Sequence, residues 1–442
     1  MKQVSAWVVA MLVPGIATAA GFDCGKASSA GEKAVCATPA LSSLDSALGD
    51  AFRDALTRHP AQADDLRLDQ RHWLATRDDI AWTFSTGAAK DALTGVLKTL
   101  YTRRIDQLKG LGAPPPRPLD ALATGAARLS SGPDNVIEAL AKAGTITLAT
   151  DQRVDSVSKL PFQPDAALRK ALPDDGETLV ARVLAGAPVG SVYSIDGSAA
   201  CYTEVPYRLD GKQATGVAMP AAWGTDCGSD HELARIGQDV AALRMDVASR
   251  DDVTLAASRW DGKRFGPALE LSLRFDHALA PIGSACAPRQ SPCDAFVTQV
   301  MPLVSRYDQR PQAGTIDRLP KDADKTAYDA AVVAARAKGG PLNGQGDDGF
   351  PELPDFGTTM TGGRMSVYDS EATPFPIVFR GETLMGLIGH GHVGWRANDD
   401  WVVSAWRLKD GHLQPVASVY VETRRGRLLF TSAVPPTPRA DL

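Results

Sequence analysis

The chain has 442 residues, 44% of them apolar, enough for roughly two to four domains with buried cores. Lys+Arg is 47 and Asp+Glu is 52, a formal charge of −5. That balance argues against a nucleic-acid protein, which needs a basic face, and is too mild for an acidic disordered tail.

Residues 1–20 read as a signal peptide. Lys2 supplies the positive start, Ala6 to Ile16 is apolar, and Ala17-Thr18-Ala19-Ala20 offers small residues for cleavage. No later apolar run reaches the roughly 18 residues of a membrane span, so a periplasmic or secreted protein is expected. In that oxidising setting the six cysteines read as three local disulfides: Cys24 with Cys36, Cys201 with Cys227, and Cys286 with Cys293.

Residues 21–110 show helical patterning. Ser29 and Glu32 fit a capping box before a short helix ending near Cys36. Thr38-Pro39 reads as the cap and first residue of a second helix, with Leu41, Leu44, Leu48, Phe52 and Leu56 on one stripe. A third helix carries Leu66, Trp73 and Leu74 to about Arg77. A fourth follows Gly87, with Leu93, Leu97, Tyr101, Ile105 and Leu108 on one side.

These residues resemble the N-terminal domain of the lysozyme inhibitor LprI family. The resemblance is carried by Phe22-Asp23-Cys24, Glu32, Val35-Cys36, Leu44-Asp45 and Leu48. It continues in Gln70, Trp73, Arg77, Asp78, Tyr101, Arg104 and Leu108. It covers about one fifth of the chain and implies a small helical domain of an exported envelope protein with a lysozyme-type partner. Many members carry a further Cys after the Arg-Asp pair and a partner before the last helix. Here Ile80 stands in the first position and no Cys lies between Thr83 and Leu93.

Residues 111–120, with Pro114-Pro115-Pro116 and Pro118, read as a stiff linker. Beyond them, residues 121–338 are expected to form a β-rich domain, opening with a helix from Pro133 to Ala143 and a strand from Thr145 to Thr150. Leu243, Met245, Val247, then Val253, Leu255, Ala257, then Leu269, Leu271, Leu273, Phe275 alternate with polar residues. The pattern predicts an antiparallel meander whose other face, with Glu270, Ser272 and Arg274, is wet. Asp-Gly pairs at 196, 210, 261 and 410 suggest type I′ hairpin turns. They lack the constant period of a propeller, leaving sandwich-like or α+β units as the expectation.

An Ala-rich helix is predicted over Lys325 to Lys338. Residues 339–363 then form a Gly/Pro-rich loop or linker. A C-terminal β-rich part, residues 364–442, either completes the preceding domain or stands alone. Its strands are expected at 366–368, 377–380, 401–406, 416–423 and 428–431. The fold class is therefore α+β multidomain, a small helical domain followed by a β-rich region.

Catalytic motifs are scarce. Gly344-x-Gly346-x-x-Gly349 follows a helix, and Pro351 and Pro354 forbid the helix a dinucleotide site requires. His231-Glu232-Leu233-Ala234-Arg235 replaces the second zinc histidine with Arg235 and reads as a helix start. Asp322-x-Asp324 reads as a charged helix lead-in rather than a calcium loop. His390 and His392 share a strand face in principle and are the candidate metal ligands, although their glycine neighbours favour a tight turn. Nearby Trp395, Trp401 and Trp406 read as core. No cofactor is implied. The reading is an exported non-catalytic binding module, with a lysozyme inhibitor as the resemblance implies. The alternatives are a secreted hydrolase with a site near His390 and His392, or a surface adhesin or scaffold.

Overall fold

The computed structural model describes residues 21–86, 90–129, 132–133, 135–172, 178–196, 201–223, 230–249, 251–287, 292–309, 319–337, 366–367, 373–392 and 400–435. The expected signal peptide, the Gly/Pro-rich segment 339–363, Cys227 with its pairing to Cys201, and Trp395 lie outside them.

The helical unit comprises α1 (Ala30–Ala37), α2 (Pro39–Arg58), α3 (Ala63–Thr86) and α4 (Leu93–Gly110). Ser29 and Glu32 form the expected reciprocal capping box on α1. Thr38 does precede Pro39 at the start of α2, but its side chain makes no capping hydrogen bond. α3 continues beyond the expected end near Arg77 to Thr86, because its Ala81 side packs into the same core. That core joins Val35, Leu41, Leu48, Leu66, Trp73, Leu97, Tyr101, Ile105 and Leu108. Ile80 packs against it. A disulfide links Cys24 to Cys36, with Cα atoms 5.7 Å apart.

Leu111 is buried and bridges to Ser432, so the residues expected as a linker begin docked on the sheet region. A cis Arg117–Pro118 bond then leads into α5 (Leu119–Ala126) and α6 (Val136–Lys142), the latter capped by Asn135. Next come β1 (Ile146–Leu148), β2 (Thr150–Val154), β3 (Gln163–Pro164), α7 (Ala166–Ala171), β4 (Leu179–Val183), β5 (Val189–Asp196), β6 (Cys201–Asp210) and β7 (Gln213–Gly216). β8 (Asp230–Ile236), β9 (Asp239–Ser249), β10 (Asp252–Trp260) and β11 (Phe265–Cys286) follow. Then come α8 (Asp294–Gln309), α9 (Lys325–Arg336), β12 (Ser366–Val367), β13 (Thr373–Phe379), β14 (Glu382–His392), β15 (Asp400–Lys409) and β16 (His412–Val434).

Among the described residues these strands form two sheets, not a propeller. One has ten strands in the order β1-β8-β9-β10-β11-β16-β15-β14-β12, with β13 also on β14. The other has six, in the order β2-β4-β5-β6-β7-β3. β16 is central to the larger sheet and pairs antiparallel with both β11 and β15, so the C-terminal strands complete the sheet begun by the middle of the chain. The two separate strands expected within it are one continuous element, bulged opposite Phe275.

The meander β9-β10-β11 has the expected register, Val253 opposite Val247 and Leu273. Its apolar face packs on α5 and α6. The other face is not wet. Thr254, Ser258, Glu270, Ser272 and Arg274 are all buried. The helical unit covers part of this face, and Trp223 with Leu184 and Val189 of the smaller sheet covers another. Alternation shows that two faces differ, not that one meets water.

Two further expectations change. Residues 231–235 form a strand rather than a helix, because β8 pairs along its length with β9. The Asp-Gly turns differ among themselves. Asp410 (φ 52°) and Gly411 (φ 77°) make the expected type I′ hairpin. Asp261 instead accepts hydrogen bonds from the Lys263 and Arg264 amides in a longer loop.

Candidate functional site

The densest polar cluster lies where the helical unit meets the larger sheet. From α3 come Asp69 and His72, three residues apart and so on one helix side. From α4 come Arg103, Arg104 and Gln107. The sheet supplies Asp252 on β10 and Glu270, Ser272, Arg274 and His277 on β11. Asp251 sits in the turn before β10, and α8, lying beside α3, supplies Asp308.

Hydrogen bonds cross this junction. Arg274 donates to Asp69 Oδ1 through Nε at 2.8 Å and Nη2 at 2.6 Å. Arg104 pairs with the other Asp69 oxygen and donates to Gln70 Oε1 at 3.1 and 2.9 Å. Gln107 donates to both Asp252 and Ser272, at 2.9 and 2.8 Å. Apolar contact closes the rest, with Leu429 and Phe430 of β16 entering the helical core. Burial opposes ionisation of Asp69, but Arg104 and Arg274 outweigh it and hold its carboxyl below the usual range.

Next to this network runs a chain of alternating acid and imidazole. His277 Nδ1 lies 2.9 Å from Asp251 Oδ1, and its Nε2 lies 2.7 Å from Asp308 Oδ2. Trp401 donates its indole N–H to the other Asp308 oxygen at 3.0 Å. His72 Nδ1 sits 3.4 Å from Asp251 Oδ2, and the His72 and His277 rings are 4.2 Å apart. The side chains are 7% exposed for His72, 2% for Asp251, 6% for His277 and 2% for Asp308. Burial by itself pulls His277 down, yet its two carboxylate neighbours raise it to about 9. Burial pushes Asp251 up, and the His277 hydrogen bond, the neighbouring His72 imidazole and Arg274 hold it well below the carboxylate range. One atom each of His72, Asp251 and His277 falls within 4.8 Å of the others, so these three side chains have metal-ligand spacing.

The residues that carry the sequence resemblance are inside the helical unit. Trp73 meets Tyr101 edge-on at 5.0 Å. Arg77 donates to Tyr101 Oη at 3.2 Å and to Asp78 at 2.6 Å, and Tyr101 donates to Asp45 at 2.9 Å. With Arg104 and Gln70 they form a polar frame that ties α2, α3 and α4 together. Residues 24–108 match the family model described as lysozyme inhibitor LprI. No curated protein and no solved structure matches the chain. Within the matched residues, Arg104 shares the Asp69 carboxylate with Arg274 of the sheet.

His390 and His392 lie on the last residues of β14, where the backbone of His390 pairs with Trp401 and that of His392 with Ser366. Their side chains fall outside the described residues. Trp401 and Trp406 are core, as expected. Cys286 and Cys293 are joined and buried beside Phe296 of α8. The sequence reading passed over His72, Asp251, His277 and Asp308. Asp308 was missed because α8 was, although Phe296, Val300 and Val304 repeat every four residues and mark a helical stripe.

Proposed function

We propose that the protein is an exported binding protein of the bacterial envelope whose LprI unit engages a lysozyme-type wall-degrading enzyme. The observation that carries this is the family match over residues 24–108 on a complete four-helix unit that keeps its first staple. No helix among the described residues is long and apolar enough to cross a membrane. The disulfides Cys24–Cys36 and Cys286–Cys293 suit an oxidising compartment.

The docking arrangement favours one side of the unit for a partner. α3 and α4 carry the contacts to the sheet region, whereas those of α1 and α2 are chiefly with the other elements of the helical unit. On α2, Asp50, Arg53 and Asp54 are exposed and mixed in sign. Steering of a basic enzyme therefore falls to the net negative charge of the whole chain, and binding weakens as salt rises.

A turbidity assay of lysozyme on bacterial walls, at low salt and micromolar protein, tests the reading. The mature protein slows lysis without cleaving the enzyme, and the isolated helical fragment is the weaker inhibitor. Undiminished lysis with full-length protein in excess, together with no retention on immobilised lysozyme, removes this function.

A further inference from the structure

We propose that His72, Asp251 and His277 form a divalent transition-metal site, selective for Zn²⁺-like ions, that ties the helical unit to the sheet. His72 comes from α3 of the helical unit, Asp251 from the turn before β10 and His277 from β11, so an ion bound there bridges segments about 200 positions apart.

Three observations carry it. The first is the geometry at His277. Its Nε2 lies 2.7 Å from Asp308 Oδ2, and its Nδ1 is directed at Asp251 Oδ1, 2.9 Å away. An orienting carboxylate behind a metal-binding imidazole is the recurrent second layer of zinc sites, and Asp308 has that place.

The second is His72. Its Nδ1 is buried, makes no hydrogen bond, and faces the other oxygen of Asp251 at 3.4 Å. A buried polar nitrogen left without a partner costs on the order of 1–3 kcal/mol, and a cation beside Asp251 would satisfy it. Tetrahedral Zn²⁺ with bonds of about 2.0–2.2 Å sets its ligand atoms roughly 3.3–3.6 Å apart. The His72–Asp251 separation fits this spacing, and the His277–Asp251 contact has to open by a few tenths of an ångström.

The third is charge. Asp69, Asp251, Asp252, Glu270 and Asp308 are buried in the junction, against the guanidiniums of Arg103, Arg104 and Arg274. The carboxylates outnumber the guanidiniums by two, the formal charge of one divalent ion. Two imidazoles and one carboxylate favour zinc, cobalt, nickel or copper, whereas Mg²⁺ and Ca²⁺ call for oxygen ligands.

The site is separate from the lysozyme reading, and its test reads metal, not inhibition. Full-length mature protein is stripped with EDTA, dialysed, and given Zn²⁺, Co²⁺ or Mg²⁺. The expected result is about one Zn²⁺ retained per chain by mass spectrometry. Zn²⁺ and Co²⁺ raise the melting temperature, Mg²⁺ does not, and Co²⁺ gives the visible absorption of a tetrahedral centre. His72→Ala abolishes retention. Asp308→Asn, which keeps all three ligands, weakens affinity about 10- to 100-fold, and circular dichroism checks that both variants fold. Identical melting of the wild type with EDTA and with Zn²⁺, and no retained metal, overturns the proposal and leaves a protonated His277 as the positive centre. Retention that survives in a folded His72→Ala variant places the ion elsewhere and overturns it equally.

Discussion

Asp69 and Arg274, 205 positions apart, share two hydrogen bonds of 2.8 and 2.6 Å on one carboxylate oxygen, inside a fully covered junction. Removing the carboxylate charge strands Arg274 and Arg104 in the interior. Asp69→Asn should therefore cost about 3–5 kcal/mol in denaturant unfolding. Asp65→Asn, which weakens the exposed pair with Arg427, is the control and should cost no more than about 1 kcal/mol. Equal effects from the two would mean that the junction is not a closed interior.

The same carboxyl sets an acid limit. Asp69 is held below its ordinary value of 3.8 in the folded protein, so its stabilisation is complete above that value and is lost as pH falls through the folded one. Stability should drop below about pH 4, and Asp69→Asn should flatten that drop. Denaturant midpoints between pH 2 and 6 in the two proteins measure it.

The backbones of α4 and β16 approach closely at Gly110. A Cβ there would lie 2.5 Å from the Ala433 carbonyl oxygen. Gly110→Ala should push the helix end off the strand and cost about 1–3 kcal/mol, despite the better helix propensity of alanine. Gly95, with open space around it, should tolerate alanine without loss. Thermal melts of both variants decide this.

Breaking the first staple should loosen the helical unit. Cys24 and Cys36 are 12 positions apart, and closing a loop of that order contributes about 3 kcal/mol. The paired Cys24→Ser, Cys36→Ser variant should lower the unfolding midpoint and speed proteolysis between residues 21 and 40. Hydrogen exchange in α1 reads the local effect.

A fragment spanning residues 21–112 should be helical by circular dichroism but melt at a lower temperature than the unit does within the whole chain. In the whole chain Leu429 and Phe430 complete its core, and Asp69 and Gln107 have partners from the sheet. A fragment as stable as the intact protein would show that this docking adds nothing.

Much of the scaffold could be read from residues alone. The stripe on α2, the Ser29–Glu32 box and the Asp410-Gly411 turn are local devices, and each formed where its pattern stood. The junction was illegible for a physical reason. Glu270, Ser272 and Arg274 alternate with leucines just as a solvated face would, because a face covered by polar partners and one covered by water require the same residue types. Partners for such a face lie far along the chain, as Gln107 does from Ser272. His231 misled in the opposite way, since pairing with β9 overrode a helix-friendly string.

β16 gives the molecule an inverted order of assembly. The helical unit is translated long before residues 412–434, yet those residues supply its last wall and the middle of the larger sheet. Until that strand arrives, β11 and β15 are both open edges, the species most prone to pair with a neighbour. Loss of this one segment would therefore divide the sheet into two halves instead of trimming its border, and would leave the helices without a floor.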